Sequence, residues 1–359
     1  MLTTLFIVLT ASVVLNAAIV LTARWHIQIT GDSAQNGAHK AHTGIVPRIG
    51  GAAVFAAAAL GVLMAMPKLY PAANYVFAAM TACVFLMFGI GFLEDVTKKV
   101  RPTIRYSVCI AAALIFSLAN AQLGVKSVDV PLLDAALAYA PVSVLFFAFA
   151  VAGMTHACNL IDGQNGLCAG YAIMAYLALG LVAGLTGQAA LAVICEVVIA
   201  ANLGFLFFNF PQGRIFLGDG GAYMNGALIA ILAVMVVNGG QGYISPWFAL
   251  AVLVYPVTET LHSMVRRCRE GRAFYEPDDA HLHHLLRDWL ETRSRIVARF
   301  SALVPLGLSG GFMVLAVPSA SSTPQLAILS AAYLLVHIAL YHLARSRLRA
   351  QATVQQLSD

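Results

Sequence analysis

Apolar positions in this chain neither alternate nor recur at every third or fourth residue. They come in unbroken runs of roughly 17–22 residues along its whole length. A run of that size crosses about 30 Å of hydrocarbon as a helix rising 1.5 Å per residue. Eleven helices are predicted, near 3–22, 49–66, 74–93, 104–122, 141–157, 167–186, 189–208, 220–238, 245–265, 297–317 and 326–344. The pattern predicts an all-α, polytopic integral membrane protein with 10–11 transmembrane helices. It forms one domain over 1–359, with no internal repeat, low-complexity linker or separate soluble module.

Composition agrees with the pattern. Of 359 residues, 60% are apolar and 10% charged, against about 25% charged in soluble domains. The first run lacks a basic leader and a cleavage site, and is expected to stay as a span. The six cysteines show neither metal spacing nor the framework of a disulfide fold, and read as small apolar residues.

Charge then sets sidedness. The loops near 23–48, 94–105, 158–166, 209–219 and 266–296, the start of the tenth run and the tail 345–359 together hold 19 of the 21 Lys and Arg residues. The opposite loops hold only Lys68 and Lys126. The positive-inside rule puts the rich face in the cytoplasm and the N-terminus in the periplasm. The net charge of +5 is therefore a topology signal and gives no reason to expect nucleic acid. Most carboxylates share that face; only Asp129 and Asp134 stand in the longest outer loop.

Five stretches on the cytoplasmic face carry groups that could do chemistry. HKAHTGIVPRIGG (39–51) offers His42, Lys40 and Arg48 before a Gly-Gly helix start, a combination suited to an anion. Anchoring and close helix packing explain it equally well. GFLEDVTKKVRP (91–102) places Glu94 and Asp95 at a helix end, where acids oppose the dipole. CNLIDGQNGL (158–167) spaces Asn159, Asp162 and Asn165 three apart, which on a helix or tight turn puts them on one face. An Asx-rich turn with caps is its plainer reading. GRIFLGDGGAYMNG (213–226) surrounds Asp219 with three glycines, more than an N-cap requires. EPDDAHLHHLLRDW (276–289) clusters His281, His283 and His284 downstream of four arginines, without the cysteine partner or HExxH spacing of a zinc site. Acids and amides for a hard cation, with His and Arg for phosphates, describe phosphoryl transfer. The spans allow the acceptor to be a lipid.

In the same order along the chain, HTGIVPRIGG, EDxTK, NLIDGxNGL, FLGDGG and HLHH resemble the motifs of the polyprenyl-phosphate N-acetylhexosamine-1-phosphate transferases, glycosyltransferase family 4. The resemblance runs from about residue 40 to 290. It implies Mg²⁺-dependent transfer (Mn²⁺ being the natural substitute) of HexNAc 1-phosphate from a UDP-HexNAc to undecaprenyl phosphate, with release of UMP. It implies a multi-pass protein of a bacterial inner membrane with its site on the cytoplasmic loops; a homodimer is left open. By position, Asp219 and Asp162 are the implied metal residues, and Glu94, Asp95 and Asp162 the implied catalytic acids. His42, Arg48, Asn159, Asn165, His281, His283 and His284 are implied in substrate binding. HLHH is closer to the GlcNAc 1-phosphate branch than to the phospho-MurNAc-pentapeptide translocase, so the implied role is initiation of O-antigen, capsule or exopolysaccharide.

Two positions depart from the family pattern: Glu94 replaces an Asp, and Asn165 replaces the second acid of its motif. They keep a catalytically impaired homologue open. A lipid-linked sugar transporter or flippase is the rival from another class, since such proteins carry polar groups at mid-membrane and Glu196 is a mid-span acid. A CDP-alcohol phosphotransferase is excluded, because no Ala-Arg follows Asp162-Gly163.

Overall fold

The computed structural model describes residues 1–32, 45–69, 74–120, 123–276 and 278–358. Among these the chain forms helices α1 (Leu2–Leu21), α2 (Ala23–Thr30), α3 (Gly50–Leu69), α4 (Asn74–Thr97), α5 (Pro102–Ala119), α6 (Pro131–Leu137), α7 (Ala140–Ile161) and α8 (Leu167–Leu185). They continue as α9 (Ala189–Asn209), α10 (Gly218–Gly239), α11 (Pro246–Val252), α12 (Val254–Arg269), α13 (Leu282–Glu291), α14 (Arg295–Ala298), α15 (Leu303–Ala316) and α16 (Thr323–Ser358). The strands among the described residues are a two-residue pair, β1 (Gly31–Asp32) antiparallel to β2 (Val46–Pro47).

Every predicted apolar run contains helix. Eight helices among the described residues are long and apolar enough to cross a membrane, and the bent pair α11–α12 makes a ninth. Gly50–Met66 of α3 and all of α15 are shorter apolar helices. Proline opens several of them: Pro102, Pro131 and Pro246 stand in the first turns of α5, α6 and α11, where the missing N–H is an orphan anyway.

Two predicted elements come out differently. The run 245–265 is two helices meeting at 74°. Pro256 lies in the first turn of α12, so it cannot donate to the Val252 carbonyl and its ring crowds that group. The freed carbonyl is taken by the Tyr171 hydroxyl at 2.6 Å, which is how a break survives within a bilayer. The last run does not stop at 344: α16 continues through the expected tail, where Arg345, Arg347, Leu348, Arg349, Ala350 and Gln351 are good helix formers.

α10 is the axis of the molecule, buried along most of its length, whereas α1 lies largely exposed at the periphery. It packs on α3, α4, α7 and α8. Close approach depends on small residues: a Cβ at Gly51 would lie 2.4 Å from the Gly221 Cα, and one at Gly91 2.7 Å from the Asp219 carbonyl. Buried amides lock the layers. Asn202 and Asn225 exchange side-chain hydrogen bonds at 3.1 and 3.0 Å, and the Tyr176 hydroxyl adds a third at 3.2 Å.

Candidate functional site

The site forms where the start of α10 meets the end of α4. Three backbone hydrogen bonds zip the stretch after β2 to the loop before α10: Gly50 N to Phe216 O (2.9 Å), Gly51 N to Leu217 O (2.8 Å) and Phe216 N to Pro47 O (2.8 Å). They bring Arg48 to the mouth of α10. There Gly218 takes φ +77°, a left-handed conformation that suits glycine.

Asp95, in the last turn of α4 and 1% exposed, is committed to this junction. Its Oδ1 accepts from Asp219 N (2.8 Å) and Arg48 Nε (3.1 Å), and its Oδ2 from Gly220 N (2.9 Å). It is thus an N-cap supplied by another helix, satisfying two orphan donors of α10. Asp219 projects from that first turn. Its Oδ1 pairs with Arg48 Nη2 (3.0 Å), its Oδ2 with Arg105 from the first turn of α5, and the Asn159 side chain also hydrogen-bonds to it.

Glu94 sits beside Asp95 in sequence but points elsewhere, with Oε2 accepting from Val100 N at 2.7 Å in the turn after α4. It is less buried than Asp95. Asp162 is the C-cap residue of α7. Burial pushes its carboxyl well above the ordinary range, the negative charges of Asp219 and Asp95 add to this, and Arg48 opposes it.

The spacing of Asn159, Asp162 and Asn165 does not give one shared face. α7 ends at Ile161, so helical periodicity stops between the first two. Asn159 and Asp162 turn toward Asp219, while Asn165 donates to the Pro211 carbonyl at 3.2 Å. Gln164, which sequence reasoning passed over, stitches the turn to the histidines. Its Nε2 donates to the His283 carbonyl and its Oε1 accepts from Ser301 at 3.1 Å.

His281 precedes α13 as its N-cap, and His283 and His284 lie in the first turn. They pack as a cluster, with ring centroids 4.3 Å apart for His283–His284 and 5.6 Å for His281–His283. They abut the Asp162 turn so closely that a Cβ on Gly163 would stand 2.5 Å from His283 Nε2 and 2.8 Å from His284 Cε1. Burial holds His283 well below the ordinary imidazole range, helped by His284, His281, Arg287 and His337. Beside the cluster, burial raises Asp278, but hydrogen bonds from Arg266 and Arg267 overcome it and hold the carboxyl well below its usual range.

The fold therefore gathers Arg48, Asp95, Asn159, Asp162 and Asp219, and sets His281, His283 and His284 against the same turn. Glu94 lies alongside; Asn165 faces the neighbouring loop; His42 is outside the described residues. Arg105 is the prominent omission of the sequence reading. Its signal was a cation in the first turn of an apolar helix. Glu196, the acid behind the transporter reading, is exposed on the flank of α9, away from this cluster.

The donor set suits a hard cation, since three acids converge and repel one another at Asp162. Among the described residues no three His, Cys, Asp or Glu side chains could hold a metal by themselves. That is compatible with Mg²⁺, which is commonly bound through one or two carboxylates, waters and substrate phosphates.

Residues 77–237 match the family model described as Glycosyl transferase family 4. The chain is 31% identical over 255 residues to the probable undecaprenyl-phosphate N-acetylglucosaminyl 1-phosphate transferase of Bacillus subtilis (strain 168), covering 69% of this chain and 67% of that one. It is 28% identical over 254 residues to the undecaprenyl-phosphate alpha-N-acetylglucosaminyl 1-phosphate transferase of Escherichia coli (strain K12), covering 69% and 66%. The protein of the same name from Yersinia pestis is 27% identical over 254 residues, covering 69% and 67%. The alignments thus span about two thirds of these relatives.

Proposed function

Because the chain belongs to glycosyl transferase family 4, we propose that it transfers N-acetylhexosamine 1-phosphate from a UDP-linked donor to undecaprenyl phosphate at the cytoplasmic face of a bacterial plasma membrane. The observation that carries this reading is the convergence of Asp95, Asp162 and Asp219 with Arg48 and Arg105 at the mouth of the buried helix α10. Positioning and charge stabilisation are the main work in phosphoryl transfer, and such a cluster supplies both beside spans that admit a polyprenyl tail.

An oxygen of the lipid phosphate attacks the sugar-linked phosphorus of the donor. A new P–O–P linkage forms, the bond to UMP breaks, and the products are undecaprenyl-diphospho-HexNAc and UMP. Arg48 and Arg105 offer guanidinium groups, now turned to Asp219, that a phosphate can recruit. Asp219 and Asp162 would hold Mg²⁺, which when bound supplies positive charge to the diphosphate. Asp95 has both oxygens taken by α10 and Arg48, so its role is to fix Asp219 in place. Glu94, more open to solvent, would accept a proton from the acceptor phosphate. Asn159 steadies the Asp219 carboxylate. His283 and His284 line the far side of the Asp162 turn, where the nucleotide diphosphate of the donor would lie. The HLHH form supports the GlcNAc branch, and with it initiation of a cell-surface polysaccharide.

The test is UMP release by purified protein given undecaprenyl phosphate, Mg²⁺ and a panel of UDP-HexNAc donors, with and without chelator. Release that needs both lipid and metal is expected, with UDP-GlcNAc the best donor. No release from any donor by folded protein would overturn the reading, unless restoring Asp at positions 94 and 165 brought activity back. That rescue would identify a homologue impaired at those two sites.

A further inference from the structure

Outside the acid site, a buried cluster of ionisable groups surrounds Glu259. This residue lies in the second turn of α12, past the break at Leu253, and is 1% exposed. Removing a carboxylate from water is costly unless charges and hydrogen bonds compensate. Its partners are specific. Oε1 accepts from His281 Nδ1 and from the backbone N–H of Leu282, each at 3.1 Å. Leu282 is the first residue of α13, whose N-cap His281 makes no side-chain cap of its own. Glu259 therefore caps α13 from another helix, as Asp95 caps α10.

The rest of the surroundings defines what His281 can do. Its Nδ1 also lies 3.0 Å from Ser263 Oγ, one turn further along α12. Its Nε2 faces Asp278 Oδ1 at 3.6 Å. A carboxylate only accepts, so Nδ1 carries the proton. The ring is boxed between two acids and is not free to meet a substrate. His283 and His284, by contrast, pack on Gly163, and His283 Nε2 has no hydrogen-bond partner among the described residues. Among the described residues the second oxygen of Glu259 has no hydrogen bond either; it lies 3.6 Å from His337 Nε2 on α16, whose ring nitrogens have none among those residues. Tyr255, His262 and Arg266 from α12, and Tyr333 and Tyr341 from α16, complete the ionisable shell around the pair.

We infer that Glu259 is a positioning residue of the transferase site. Through His281 and the Leu282 amide it sets the first turn of α13, so that His283 and His284 are presented to the Asp162–Gly163 turn while His281 serves as the anchor. The claim that this helps the nucleotide donor rests on the transferase reading above; the claim that Glu259 holds α13 does not.

The experiment uses the full chain in detergent, comparing wild type, Glu259→Gln, His281→Asn and the double variant by two readouts. Amide hydrogen exchange across 278–291 tests the anchoring directly: Glu259→Gln should speed exchange there at least tenfold, with 218–239 unchanged. UMP release tests the consequence. Each single variant should raise the KM for the UDP-sugar at least tenfold while leaving that for undecaprenyl phosphate within twofold. The double variant should be no worse than the poorer single one, because both cut the same link. Unchanged exchange at 278–291, or multiplicative losses in the double variant, would overturn the inference. If Glu259→Gln does not fold, Glu259→Asp, which keeps the charge but retracts it by one methylene, is read by the same criteria. A wild type that releases no UMP would sink the transferase reading, and the exchange data would still decide the role of Glu259.

Discussion

At the scale of residues, neighbouring acids have different tasks because their partners differ. Asp95 supplies a cap, and Glu94 bonds one exposed turn. Asp95→Asn turns an amide NH₂ against a backbone N–H and leaves a buried donor unsatisfied, a loss of about 1–3 kcal/mol. The expected result is a lower melting temperature in detergent together with lost activity. Glu94→Gln should lose activity with melting unchanged. Asp162→Asn should lower turnover at least about a hundredfold, the scale seen when a single electrostatic stabiliser is removed, while melting is kept or improved, since a neutral side chain suits a position facing other acids. Near-normal turnover in that variant would remove Asp162 from the catalytic set.

His283 carries a pH prediction. Its folded-state affinity for protons is depressed by burial and by the neighbouring His284, His281 and Arg287. Above the ordinary imidazole range, near 6.5, it is neutral folded or unfolded and has no effect. As pH falls through that range the unfolded chain takes up a proton that the folded chain refuses, so stability is lost on acidification. Melting followed from pH 8 to 5 should therefore fall for wild type and fall less for His283→Asn. Equal slopes would show that other groups dominate.

At the scale of elements, the break between α11 and α12 aims Glu259 and the arginines of α12 at the histidine loop. Pro256 starts the new helix, and Tyr171 satisfies the carbonyl left over. Tyr171→Phe should cost about 1–3 kcal/mol, the price of a buried unpaired acceptor. In a Pro256→Ala background that cost should shrink, because the restored N–H can serve Val252. A double-mutant cycle of unfolding free energies measures the coupling, and additivity would refute this account of the break.

At the scale of the whole molecule, sidedness rests on 19 cations against two. The arginine-rich end of α12 also carries Cys268, the exposed one among six free cysteines. A membrane-impermeant maleimide should label it in inside-out vesicles and spare it in spheroplasts. The reverse result would invert the topology and move the acid site to the other face.

Much of this was readable in the residues. Unbroken apolar runs of membrane length require helices, because only a helix satisfies its own backbone in lipid. Acids and amides kept at the run ends marked the candidate site, since such groups are costly in hydrocarbon and persist where they meet water, ions or each other. The division of labour was not readable. Glu94 and Asp95 are chemically near-equivalent in a one-dimensional pattern, and only the approach of α10 decides which of them is consumed as a cap. Asn165 matched a three-residue spacing that ceased to apply once α7 ended at Ile161. Glu259 stood in a predicted span, Arg105 at the start of another, and the partners of both arrive from more than 20 and 110 residues away. The chain by itself determined which segments lie in the membrane, through local apolar length and the asymmetry of charge. Only the tertiary structure decided which polar groups face one another, because hydrogen bonds and ion pairs act over a few ångströms of space, and distance along the chain does not report that separation.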